Sequence, residues 1–178
     1  MSLRNHYKSW SSLNRQLSGL LCDSLRDRIT YFLTSYSEVH NAYGRAAIRL
    51  DGKELVQFTW NRHYEQELEE SSLYSSSDMT IEETDAFLKP FFDKNCVLGN
   101  YDFLNAVSVF RDMSIADALA SDDCIVRVLA VLDRRCGKRT LQRMLGTGEC
   151  ESWPCWAKQF ASIRFHAEGL SAERRWNA

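Results

Sequence analysis

The sequence predicts an α+β fold, with an N-terminal helix, a three-stranded antiparallel meander and then an all-helical C-terminal half. Three segments between residues 28 and 60 are rich in β-branched and aromatic residues, which favour strands. Asp51-Gly52 lies between the last two of these segments and is a strong hairpin signal. Beyond residue 78, apolar residues recur at spacings of three and four, which is the period of a helix.

The predicted N-terminal lobe spans residues 1–70. Its first element is an amphipathic helix over residues 9–27, for which Ser9 is a plausible cap. Three strands follow over residues 28–35, 45–50 and 54–60, and a short exposed helix is expected over residues 61–70.

The hairpin at Asp51-Gly52 can close in two ways. A two-residue turn pairs Leu50 with Lys53, and hence Ile48 with Leu55, and leaves apolar groups on both faces of the sheet. A three-residue loop with a bulge pairs Arg49 with Lys53 and separates the two kinds of side chain. We expect the second arrangement, because burial of one face selects against a register slip. It places Ile48 opposite Glu54 and predicts an apolar face of Ala46, Ile48, Val56, Phe58 and Trp60, and a polar face of Arg45, Arg49, Lys53 and Gln57.

The predicted C-terminal lobe spans residues 78–178 and packs on the first lobe as part of one compact unit. The serine-rich segment 71–77 is the best candidate for a linker between them. Helices are expected from residue 78 or 80 to Pro90, over residues 101–113 and over residues 115–120. The last helix is expected to begin at Ser152 and to end at Gly169.

The most distinctive segment is residues 122–141, which reads DDCIVRVLAVLDRRCGKRTL. Its run from Cys124 to Leu132 is apolar except for Arg127, which is typical of a buried helix. Asp122 or Asp123 can cap this helix, and Gly137 is placed to end it in a left-handed conformation.

Cations directly follow Gly137, and a helix beginning at Lys138 would hold Lys138 and Arg139 at the positive end of its dipole. Three resolutions stay open. The preceding helix continues through Gly137 with a kink, an acid such as Asp133 compensates the charge, or an external anion docks there.

Two groups of cations are candidate anion-binding sites. We call the first the basic cluster: Arg134, Arg135, Lys138, Arg139 and Arg143. We call the second the sheet patch: Arg45, Arg49 and Lys53. Arginine binds phosphate and carboxylate bidentately, which favours a binding role. For the basic cluster we prefer the simpler interpretation of a solvated helix end paired with nearby acids. For the sheet patch we prefer a solvated strand face or one covered by acidic helices.

Other features limit the functional classes. A formal net charge of −2 gives no overall attraction for nucleic acid or acidic lipid, and no apolar run approaches a membrane span. The N-terminus lacks a secretory signal and no two cysteines form C-x-x-C, so we expect reduced thiols and a cytoplasmic location. No cofactor or metal site is predicted, because the histidines lack metal-ligand spacing.

Several segments together resemble an uncharacterised family of small bacterial cytoplasmic proteins. They are WSSL at residues 10–13, YGRAAIRLDGKE at residues 43–54 and LAVLDRRCGKRTL at residues 129–141. The resemblance covers most of the chain in the same order. It implies a bacterial, intracellular, single-unit protein and supplies no activity, substrate or site residues.

The leading functional hypothesis is a non-enzymatic cytoplasmic protein that binds another protein through its helical surface. The alternative is a phosphate or nucleic-acid binder that uses the basic cluster around Gly137. An enzyme with His40 and His63 as a general acid–base pair at one end of the sheet ranks third.

Overall fold

The computed structural model of the chain describes residues 10–34, 44–59 and 98–170. In chain order the elements are α1 (Trp10–Leu20), β1 (Ile29–Thr34), β2 (Arg45–Leu50), β3 (Lys53–Phe58), α2 (Asn100–Arg111), α3 (Ile115–Leu119), α4 (Cys124–Leu132), α5 (Lys138–Thr147), a 3₁₀ helix (Glu149–Ser152) and α6 (Cys155–Ala167). The three strands form one antiparallel sheet in the order β1-β2-β3. The predicted α+β architecture is therefore confirmed. The Ser9 cap, the predicted linker and the helices expected over residues 61–70 and 78–90 lie outside the described residues.

The hairpin corrects the predicted register. Leu50 pairs with Lys53, so the expected three-residue loop is wrong. Asp51 and Gly52 both have positive φ, at 51° and 79°, as a two-residue type I′ turn requires. A bulge does occur, but farther from the turn: Arg49 faces Glu54 whereas Ile48 faces Val56, so Leu55 is the extra residue.

The displaced bulge keeps the predicted apolar face in the described residues but corrects the polar one: Lys53 pairs with Leu50 and does not share the face of Arg49. Trp60, also expected on the apolar face, lies outside the described residues. The bulge brings Val56 opposite Ile48 and Phe58 opposite Ala46, on the side that packs against the helices. It also moves Glu54, which was expected opposite Ile48, to a position opposite Arg49. Burial of the apolar face is thus satisfied by a bulge inside the strand pair, and the turn keeps its preferred two residues.

Aromatic contacts join the sheet to the helices. The ring of Phe103 on α2 stacks on Phe58 of β3 at a centroid distance of 5.0 Å. Trp10 of α1 meets the same ring edge-on at 6.0 Å, and Tyr31 of β1 lies 6.4 Å from it. One continuous core therefore joins the described parts of the two predicted lobes.

Helix α4 begins as predicted and ends earlier than predicted. The Asp123 carboxylate accepts hydrogen bonds from the N–H groups of Ile125 and Val126, which confirms it as the cap. The helix stops at Leu132, where the chain turns into an extended bridge with Leu21. Gly137 has a φ of −72° and caps the start of α5, so the expected left-handed stop at Gly137 is wrong.

Helix α6 also begins later than predicted, at Cys155, after the 3₁₀ helix and with Pro154 at its cap position. Its end agrees with the prediction. Gly169 is left-handed with a φ of 66°, and the Leu170 N–H donates to the Phe165 carbonyl over 2.8 Å. This is the bond of a Schellman motif.

In the ranges that the structure describes, no helix is long and apolar enough to cross a membrane. The cysteines in these ranges are all free thiols, namely Cys22, Cys124, Cys136, Cys150 and Cys155.

The two helix-flanking glycines provide a matched test of these backbone assignments. A methyl group added at either Gly169 or Gly137 would meet no atom within 4 Å, so a difference between the variants reports backbone conformation. Gly169→Ala should lower the free energy of unfolding by roughly 1 kcal/mol, because alanine is strained at positive φ. Gly137→Ala should change it by less than about 0.5 kcal/mol. Urea denaturation measures both, and equal losses would contradict the assignment at Gly137.

Candidate binding surface

Arg135 of the basic cluster has internal partners, although its side chain is still 35% exposed. Its Nε and Nη2 donate to Oδ2 of Asp133 over 2.9 and 2.8 Å, and that carboxylate is only 1% exposed. Its Nη1 reaches the carbonyl oxygen of Met113 at 3.3 Å, and its guanidinium lies 5.4 Å from the ring centroid of Phe110. Arg135 therefore neutralises a buried acid and packs over the end of α2.

Lys138 is the first residue of α5, where its positive charge requires compensation. Its Nζ donates over 2.9 Å to the main-chain carbonyl of Glu168, at the C-terminal end of α6. Exposed carbonyls give that end of a helix partial negative charge, which suits a cation. The helix does not continue through Gly137, and Asp133 is taken by Arg135. The C-terminal end of α6 thus compensates the positive charge of Lys138, a role that was expected of an acid.

Arg143 is also paired. Its Nη1 donates to Oε2 of Glu149 over 2.9 Å, across the turn that follows α5. The guanidinium remains more than half exposed, so solvent screens this pair and it adds little to stability.

Arg134 and Arg139 differ from the other three. Both are exposed, and among residues 10–34, 44–59 and 98–170 neither side chain has a hydrogen-bond or ion-pair partner. Arg134 follows the bridge to α1, and Arg139 lies in the first turn of α5. Gly137 supplies no side-chain acceptor to that turn, and the turn holds no acid. The free positive charge of the basic cluster is therefore concentrated around Gly137.

Two of the three cations of the sheet patch share one acid. Both Oε atoms of Glu54 accept from Arg45 over 2.8 Å, and Oε1 also accepts from Arg49 over 2.7 Å. These bonds, Arg45 first, lower the pKa of Glu54 to about 2. The two guanidiniums also lie 5.0 and 4.1 Å from the ring centroid of Phe32. Lys53 stands exposed at the turn.

A buried arginine that the sequence analysis did not single out holds α6 to the rest of the fold. Arg164 is 3% exposed, and its Nη2 donates to the Cys136 carbonyl over 3.1 Å. Its Nη1 pairs with Glu168 over 3.0 Å, and that carboxylate also accepts from the Ser24 hydroxyl. The spacing of Arg164 and Glu168, four residues apart on a helix, was the available sequence signal.

Helix α2 carries the two large apolar side chains that are most exposed in the described ranges, Tyr101 at 38% and Val109 at 47%. Val109 directly precedes Phe110, the residue on which Arg135 lies. Met113, whose carbonyl Arg135 binds, is half-buried. The apolar end of α2 therefore adjoins the basic cluster.

Two thiols of the helical half, the buried Cys136 and the half-buried Cys150, are unreactive at neutral pH. Burial raises the pKa of Cys136 and of Cys150 to about 11, so both are protonated at neutral pH. The thiolate is the nucleophile and the metal ligand, so neither cysteine is activated. Within the described residues no three potential metal ligands come together, and His40 and His63 lie outside them.

A comparison with family models finds a match over most of the chain. The model of the SF0329 protein family matches residues 9–165. The chain belongs to the SF0329 protein family. The match to SF0329 spans both predicted lobes and includes the whole basic cluster. The name of SF0329 describes no activity or ligand, so membership carries no function to this chain. No curated protein and no solved structure matches it.

The sheet patch predicts a pH-dependent contribution to stability. Because the pKa of Glu54 is lowered in the folded state, its contribution is complete above about pH 5 and is lost as the pH falls from 4.5 toward 2. Glu54→Gln should therefore cost roughly 1 kcal/mol at pH 7, a value that allows for screening by solvent, and almost nothing near pH 2. Urea denaturation of Glu54→Gln and of the wild type across this pH range measures the difference in the free energy of unfolding. A gap that did not narrow on acidification would contradict the ion-pair network.

Proposed function

We propose that this SF0329 protein is a non-enzymatic cytoplasmic interaction module that binds another protein through its helical half. The observation that carries the proposal is the position of Arg135. It reaches from Asp133 across Phe110 to the carbonyl of Met113, and so joins the apolar end of α2 to the exposed arginines.

We call the resulting area the contact surface, defined by Val109, Met113, Arg134, Arg135 and Arg139. Its composition supports protein binding, because arginine and methionine are enriched in protein interfaces and charged groups lie at the rim of an apolar centre. Arg134 and Arg139 do not pair with Asp133, because Arg135 already binds that carboxylate.

A phosphate or nucleic-acid ligand is the second candidate, favoured by the start of α5. Gly137 offers no side-chain cap there, and the N–H groups of a helix start suit an anion. It ranks second because proteins that bind nucleic acid tightly make about six to ten phosphate contacts. Here two arginines are without internal partners among the described residues, and the net charge is −2.

A pull-down from native lysate tests the proposed function. The full chain should recover a protein in near-stoichiometric amount, and Val109→Asp should reduce that recovery at least tenfold by placing a charge on the exposed apolar side of α2. Gln159→Asp, on the exposed side of α6, is the matched control and should leave recovery unchanged.

Both variants must keep the wild-type melting temperature, which is expected because both positions are exposed. Recovery of nuclease-sensitive RNA instead of protein would favour the second candidate. Recovery that Val109→Asp leaves intact, or recovery of nothing, would count against the contact surface.

A further inference from the structure

We infer that the partner presents an acidic segment, with two or more neighbouring carboxylates, to Arg134 and Arg139. This inference rests on the proposed function and adds the chemistry of the partner. It follows from the balance of charge around the turn between α4 and α5.

The turn keeps an excess of positive charge after its internal pairs are made. Between residues 134 and 143 the chain carries five cations and no acid. Arg135 pairs with Asp133, and Arg143 pairs with Glu149. Lys138 donates to a main-chain carbonyl, whose partial charge does not cancel the full charge of the ammonium group. Two further guanidiniums remain exposed to solvent. An occupant of this surface must therefore be an anion or leave these charges solvated.

Both arginines project from backbone that is already ordered. The Arg134 N–H donates to the Leu20 carbonyl over 2.8 Å, which fixes the start of its side chain against α1. Arg139 is fixed by the helix in which it lies. Less ordering is needed on binding when the backbone is held in this way. A guanidinium presents paired N–H donors that match the two oxygens of a carboxylate.

The expected strength separates an acidic peptide from nucleic acid. An exposed ion pair changes affinity by about 1.4- to fivefold, so losing two pairs should weaken binding by about 2- to 30-fold. Replacement of two counterions also gives a shallow salt dependence, near the second power of salt concentration or less. A nucleic-acid interface of six to ten phosphate contacts has a much steeper one.

The test uses the full chain and three probes: a fluorescent octaglutamate peptide, inorganic phosphate and single-stranded RNA. Fluorescence anisotropy measures peptide and RNA binding, and amide chemical shifts map the site. We expect octaglutamate to bind with the shallow salt dependence, and its shifts to centre on residues 134–139. Arg134→Ala/Arg139→Ala should weaken binding by about 2- to 30-fold. Arg15→Ala/Arg26→Ala removes the same charge from exposed positions elsewhere and should have no effect.

The other outcomes overturn the inference. They are no peptide binding, equal loss in both double variants, displacement of the peptide by millimolar phosphate, or tighter RNA binding with a steep salt dependence. The proposed function is decided by a different result from the one that decides the acidic partner. A protein recovered by the wild type, lost with Val109→Asp and insensitive to Arg134→Ala/Arg139→Ala would sustain the interaction module while removing the acidic partner.

Discussion

The structure depends on a short antiparallel bridge between the chain after α1 and the chain after α4. The Cys22 N–H donates to the Leu132 carbonyl over 3.0 Å, and the Arg134 N–H donates to the Leu20 carbonyl over 2.8 Å. These two bonds satisfy backbone groups that a continuing helix would have used, so α4 ends at Leu132. The same bonds tie the N-terminal helix to the C-terminal half and set the direction in which the basic turn leaves the core.

The bridge also brings a carboxylate into the interior, and this links stability to the contact surface. Asp133 lies directly opposite Leu21 and is almost fully buried. A buried charge whose partner is removed costs about 3–5 kcal/mol, so Asp133 requires Arg135. This pairing places the Arg135 guanidinium over the ring of Phe110, with about a third of the side chain still exposed. The buried acid therefore fixes one arginine at the surface, while its neighbour Arg134 has no such partner among the described residues.

The elements that could be predicted from the sequence are those whose causes are local. The cap at Asp123 and the left-handed stop at Gly169 are set by residues within one helical turn, and both were predicted correctly. The end of α4 was not, because its cause is a strand-like pairing with Leu20 and Cys22, remote in sequence. The hairpin failed for a related reason. Two-residue turn geometry and burial of Val56 both had to be met, and the extra residue that reconciles them lies at Leu55, inside the pair.

Prediction of the binding surface from the sequence is limited by the same contacts between residues remote in the chain. The spacing of the cations identified the basic cluster, but pairing decides which of them a ligand can reach. Asp133 and Glu149 are visible as nearby acids, whereas the acceptor of Lys138 is a main-chain carbonyl on α6, which no side-chain pattern signals. Glu54 was likewise assigned to the wrong face until the bulge was known, so the sheet patch seemed more positive than it is. Tertiary pairing thus leaves fewer of these cations without an internal partner than composition suggests. What remains around Gly137 is small, fixed in position and matched in geometry to carboxylates.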